Sequence, residues 1–182
     1  IGYAPISVRA LRVLNQALSF AEQDSLAVDQ ELARVAASAH DDAALVIAWA
    51  NVIFDLHASG GDPAAAKALL PVLDAAIERA GGGRALQYRG ALSAGFVALL
   101  EARYRDAAAS FEQAVALADS DIDRYLCQGN VSGALVQAGD RRAAVIAMER
   151  AVVLLMTSID PKDITNGFRF VDAAGQAFRV QE

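Results

Sequence analysis

An all-α fold of stacked helix pairs is what this sequence predicts, and three observations carry the prediction. Alanine occupies 41 of the 182 positions; it is the strongest helix former and lets helix axes approach closely. Four prolines are present in the whole chain, too few to break up a helical protein. No segment alternates apolar and polar residues in the way a half-buried strand does.

Punctuation divides the chain into about nine helical segments. Pro5 opens the first, whose stripe Val8, Leu11, Leu14, Leu18 and Ala21 has helical spacing. Asp24 and Ser25 are placed to cap a second, with Val28, Leu32, Val35 and Ala36 on its buried side. Asp41 and Asp42 start a third, which passes Trp49 and Phe54 and stops at Gly60–Gly61. Asp62–Pro63, a capping acid followed by proline at the first helical position, starts a fourth that ends at Gly81–Gly83. Further segments are predicted at about 84–101, 104–118, 121–138, 141–157 and 161–180, the last opened by Asp160–Pro161.

Composition excludes several function classes. The chain carries a net charge of −6 and its lysines are Lys67 and Lys162, so it lacks the basic footprint of a nucleic-acid-binding domain. Cys127 is the single cysteine, which rules out an intrachain disulfide and a cysteine metal cluster. No apolar run reaches the roughly 18–20 residues that span a bilayer, and the start has no charged-then-apolar leader. The expectation is therefore a cytoplasmic protein without a membrane segment. With a start at Ile1 rather than Met, a fragment of a larger protein or a processed one is expected, and the arginine- and alanine-rich usage hints at a GC-rich bacterial genome.

A repeat runs through the middle of the chain. Ala102-Arg103-Tyr104-Arg105-Asp106-Ala107 leads to Phe111 and Ala114, with Gly95 twelve positions before Ala107. Gly139-Asp140-Arg141 precedes Ala144, Met148 and Ala151; Gly61-Asp62-Pro63 precedes Ala66, Leu70 and Leu73; Val28, Leu32 and Val35 give a fainter echo. The anchors Val28, Ala66, Ala107 and Ala144 stand 38, 41 and 37 residues apart, against about 34 in the standard unit.

These columns resemble the tetratricopeptide repeat, which has a small residue late in helix A and a tight turn, then alanine, a large residue and alanine along helix B. The resemblance implies a right-handed α-solenoid in one helical-repeat domain spanning 1–182. The best-matched repeats are about 41–80, 84–118 and 121–157; residues 5–39 and 161–180 match only as helices, and the consensus tryptophan and proline columns are largely unfilled.

In that family helix A lines a groove for extended peptides or partner helices. Its columns fall here on Asn51, Asp55, Arg89, Leu92, Phe96 and Asn130, with Arg169 and Asp172 added by the final helix. No lysine stands in a groove column, so the carboxylate clamp of chaperone-tail binders is not expected. The implied role is protein or peptide binding in the sensory or regulatory region of a bacterial signalling or transcription-regulatory protein. A small-molecule effector and a homodimer are the alternatives.

Catalysis finds no constellation, so no enzyme, metal or cofactor is expected. His40 and His57 are the histidines, neither has an acid at metal-ligand spacing, and Cys127 has no histidine near it in sequence. Gly81–Gly83 before Arg84 lacks the lysine and hydroxyl of a phosphate loop and is a helix stop. Asp119, Asp121 and Asp123 lack the glycine and glutamate of a calcium loop and suit a helix start.

Overall fold

The computed structural model describes residues 4–20 and 25–157. It contains eight α-helices: α1 (Ala4–Phe20), α2 (Leu26–Ser38), α3 (Asp42–Ala58), α4 (Pro63–Arg79), α5 (Arg84–Leu100), α6 (Tyr104–Leu117), α7 (Asp121–Gln137) and α8 (Arg141–Thr157). There is no strand among the described residues. The predicted ninth segment, 161–180, lies outside them, and Arg169 and Asp172 with it. No described helix is long and apolar enough to cross a membrane.

The helix starts follow the expected chemistry. Asp41 accepts from the Ala44 amide at 3.0 Å, Asp62 from Ala64 at 2.9 Å, and Asp140 from Ala143 at 3.1 Å. Ser120 does the same for Asp123 at 3.1 Å, and Asp121 and Asp123 sit in the first turn of α7. Each satisfies an amide that has no intrahelical partner. Ser25 departs from this pattern. It occupies the cap position of α2 without a side-chain cap bond, because its hydroxyl donates to Asp55 of α3 instead, at 3.0 Å.

Five helices end with one left-handed closure. After α3, Gly60 has φ 65° and its amide bonds to His57 O at 3.1 Å, while the Gly61 amide bonds to Leu56 O at 2.7 Å. The same paired bonds close α2 at His40, α4 at Gly81, α5 at Ala102 and α7 at Gly139. Glycine enters this conformation without strain, but Ala102 (φ 55°) and His40 (φ 53°) do not. Replacing Ala102 by glycine should therefore stabilise the fold by about 0.5–1 kcal/mol. In a scanning melt this appears as a rise of about 1–3 °C; an unchanged or lower midpoint would show that the alanine is unstrained there.

The end of α6 is built differently. Ala118 is extended (φ −63°, ψ 134°), so no left-handed turn absorbs the last carbonyls. Arginines take them instead. Arg84 donates to Leu117 O at 3.0 Å and Ala116 O at 2.7 Å, and Arg124 to Ala118 O at 3.0 Å. Cations at a helix C-terminus are also favoured by its dipole.

Each helix packs on the next in sequence, and α3 also packs on α5. The buried apolar residues form three clusters along this succession, with half-buried Phe96 packed against the first and second and Leu92 against the second and third. Leu32, Val46, Ile53, Leu73 and Val97 are fully buried toward its first half, and Phe111, Val131, Ala134 and Ala147 toward its second. Where α5 crosses α6, Gly95 lies against the Phe111 ring so closely that a Cβ added there would be 2.4 Å from Cε1. The small residue of the repeat and the large one sixteen places on from it are thus one packing unit.

The repeat columns diverge at α8. Phe111 is completely buried on α6, whereas Met148, in the matching place on α8, is 46% exposed. Val145, Ile146, Val152, Val153 and Met156 are exposed with it. Among the described residues no helix follows α8 to cover this side.

Candidate functional site

A polar cluster joins the first three helices. Asp29, on α2, is fully buried. Its Oδ2 accepts from Asn15 Nδ2 on α1 at 2.6 Å, and its Oδ1 accepts from Asn51 Nδ2 on α3 at 3.0 Å. Asn51 also reaches Asn15 Oδ1 at 3.5 Å. The Asp55 carboxyl, one turn beyond Asn51 on α3, accepts from Ser25 Oγ at 3.0 Å. Helical spacing makes the arrangement: Ser25, the cap of α2, stands four before Asp29, and Asn51 and Asp55 are four apart on α3.

Burial, opposed by the Asn51 amide and reinforced by the neighbouring Asp55 carboxyl, moves the Asp29 pKa from 3.8 to about 7. A carboxyl in such surroundings carries its proton up to near neutrality.

Two of the expected groove residues, Asn51 and Asp55, belong to this cluster. The others lie elsewhere. Leu92 and Phe96 on α5 are half-buried and packed against the apolar core. Phe96 stacks on His57 (centroids 5.0 Å apart, planes at 26°) and meets Phe54 and Phe111 edge-on, each at 5.3 Å. Arg89 is exposed on α5 and Asn130 half-buried on α7. Asn15, Ser25 and Asp29 were not among the expected site residues. Helical spacing put Val28 on the buried side of α2, whereas the structure buries Asp29 and leaves Val28 half-buried. Asparagine partners on α1 and α3 make an aspartate tolerable where the apolar pattern asks for an aliphatic side chain.

The reactive side chains sit in muted settings. Burial pushes the Cys127 thiol up to about 11; it donates to Tyr88 Oη at 3.6 Å, and Tyr88 donates to Asp123 at 3.4 Å. A thiol held in that form is a poor nucleophile. Burial lowers the pKa of His57, so its stacked ring is neutral at physiological pH. Among the described residues no group of three or more His, Cys, Asp or Glu side chains is placed to hold a metal ion.

Two surface depressions, of about 330 and 410 Å³, are open to solvent. One lies over the α5–α6 turn, lined by Ala102–Asp106 and Ala138; the other lies between Val8, the α2–α3 turn and Arg79. Neither is lined by an expected groove residue. Comparison with family models, with curated proteins and with solved structures finds no match to the chain.

Proposed function

We propose that this chain is a partner-binding helical-repeat scaffold of tetratricopeptide type, a solenoid that engages a protein or peptide and performs no chemistry of its own. The observation that supports it is the contact of α3 with α5, two helices apart in sequence. In a stack of helix pairs the first helix of one pair lies beside the first helix of the next, which lays A helices side by side as a binding face. The Gly95–Phe111 packing between α5 and α6 supports the same register. On this reading the partner surface runs from Asn51 and Asp55 past Arg89 and Leu92 to Asn130. Leu92 and Phe96 shape its floor, while Arg89 supplies an exposed guanidinium suited to a carboxylate or backbone carbonyl. A regulatory or sensory role within a larger bacterial protein is part of this proposal and rests on the resemblance alone.

Selection of a displayed random-peptide library on the immobilised chain tests it. Enriched peptides should bind the wild type and lose at least tenfold in affinity to Arg89→Glu combined with Asn130→Ala, with helicity unchanged. No enrichment, or enrichment indifferent to both substitutions, would sink the peptide reading. A melting shift of several degrees with a small metabolite but with no peptide would favour the effector alternative.

A further inference from the structure

We propose that the outward face of α8 is a docking surface, and that its occupant is the chain's own C-terminal segment, residues 161–180. The inference does not rest on the partner-binding reading, since α8 contributes no residue to the surface proposed there.

α8 carries more apolar surface than its packing uses. Its buried side chains are Ala144, Ala147 and Ala151, spaced three and four apart on the side that meets α7. Of the eleven large apolar side chains exposed among the described residues, six stand on this one helix: Val145, Ile146, Met148, Val152, Val153 and Met156. Helical spacing gathers these as well. Val145, Met148, Val152 and Met156 form one row, with Ile146 and Val153 in a second row beside it. The result is a contiguous patch turned away from α7, and exposed patches of that kind mark contacts.

The sequence supplies an occupant of the right length at the right place. Residues 158–182 lie outside the described ones and follow directly on Thr157, the last residue of α8. Asp160–Pro161 is a helix-opening pair. It stands as far past α8 as the cap Ser120 stands past α6, since Leu117 to Ser120 and Thr157 to Asp160 are both three residues. After that short connection α7 packs back on α6. Ile164, Phe168, Val171 and Phe178 continue the segment at helical spacing. A helix over 161–180 is about 30 Å long, enough to run the length of α8.

A second copy of the chain fits the face less well. Glu149 stands in the middle of the apolar patch and at the midpoint of Arg141–Thr157. Two α8 helices paired about a two-fold axis there would set Glu149 against Glu149 inside an apolar contact, where like charges repel strongly. A segment returning antiparallel along α8 instead brings Phe168 and Arg169 level with Glu149. Its short tether also holds it at an effective concentration on the order of millimolar.

Thiol accessibility in the intact chain tests the docking. Cys127 is buried, so an introduced cysteine can be read alone. Val152→Cys on α8 should react with a maleimide at least tenfold more slowly than Val72→Cys on α4, although these valines are 42% and 43% exposed. Adding Phe168→Asp and Val171→Asp should release that protection and leave the Val72→Cys rate unchanged. Equal rates at Val152→Cys and Val72→Cys overturn the proposal. Protection that survives the two aspartates overturns it too; where it also rises with protein concentration, the face belongs to a second copy. If the aspartate variant aggregates, Met148→Cys combined with Val171→Cys decides. A short bismaleimide should join these two within one chain, at monomer mass, and linkage only between chains, or none, sinks the docking.

Discussion

Phe111→Ala is expected to cost about 3–5 kcal/mol of unfolding free energy, toward the upper end of that range. Among the described residues Phe111 is the largest completely buried side chain, and it lies in the second half of the core. Its surroundings decide the magnitude. Ala98, Ala107, Ala108, Ala134 and Ala147 line that part of the core, and alanine has no side-chain torsion by which to swing into a vacated space. Phe96, which meets Phe111 edge-on at 5.3 Å, would lose an aromatic contact worth about 0.5–1.5 kcal/mol. Denaturant unfolding measures the loss directly. A cost below about 1 kcal/mol would mean that the helices close over the cavity, and that the alanine-lined core is softer than its composition implies.

Gly95→Ala should be destabilising by about 1–3 kcal/mol, against the helix propensity that favours alanine by about 1 kcal/mol. The added methyl would stand 2.4, 2.6 and 2.8 Å from three atoms of the Phe111 ring. The ring is fully enclosed and has nowhere to withdraw, so α5 and α6 must separate. Gly129 gives the internal comparison. It also lies within a helix, α7, but an added Cβ meets nothing within 4 Å, so Gly129→Ala should stabilise by about 1 kcal/mol. Opposite signs for one chemical change separate packing from propensity. Combining Gly95→Ala with Phe111→Leu should cost less than the two changes summed, because the clash they share is removed. Two glycine variants of equal sign in chemical melts would contradict the close approach of α5 to α6.

Helix boundaries were readable because they are written locally. Segments expected at 84–101, 104–118, 121–138 and 141–157 end within one residue of α5, α6, α7 and α8. Capping acids and closing turns lie within a few residues of the bonds they make. The Gly95–Phe111 pair was legible as a repeat signature, although its physical content, a ring against a bare Cα, needed three dimensions. Asp29 was not legible, since the side chains that make its burial tolerable lie 14 and 22 positions away in sequence. A periodicity argument can place a residue on a helix face but cannot see a distant amide facing it. The exposure of Met148 was not legible for a related reason: the matching Phe111 on α6 has α7 packed after it, whereas no helix follows α8 among the described residues.

Neighbour-on-neighbour packing also sets how the chain reaches its fold. Almost every helix contact closes a loop of only a few residues, so little chain entropy is spent before a contact forms. Folding can begin at any adjoining pair and spread outward, in the microsecond-to-millisecond range of proteins rich in local contacts. The same locality makes stability a gradient. Among the described residues α1 rests mainly on α2 and α8 on α7, while α3 and α5 are gripped from both sides and from each other. The ends should open far more often than the middle, and the α3–α5 seam is the last part of the molecule to come apart.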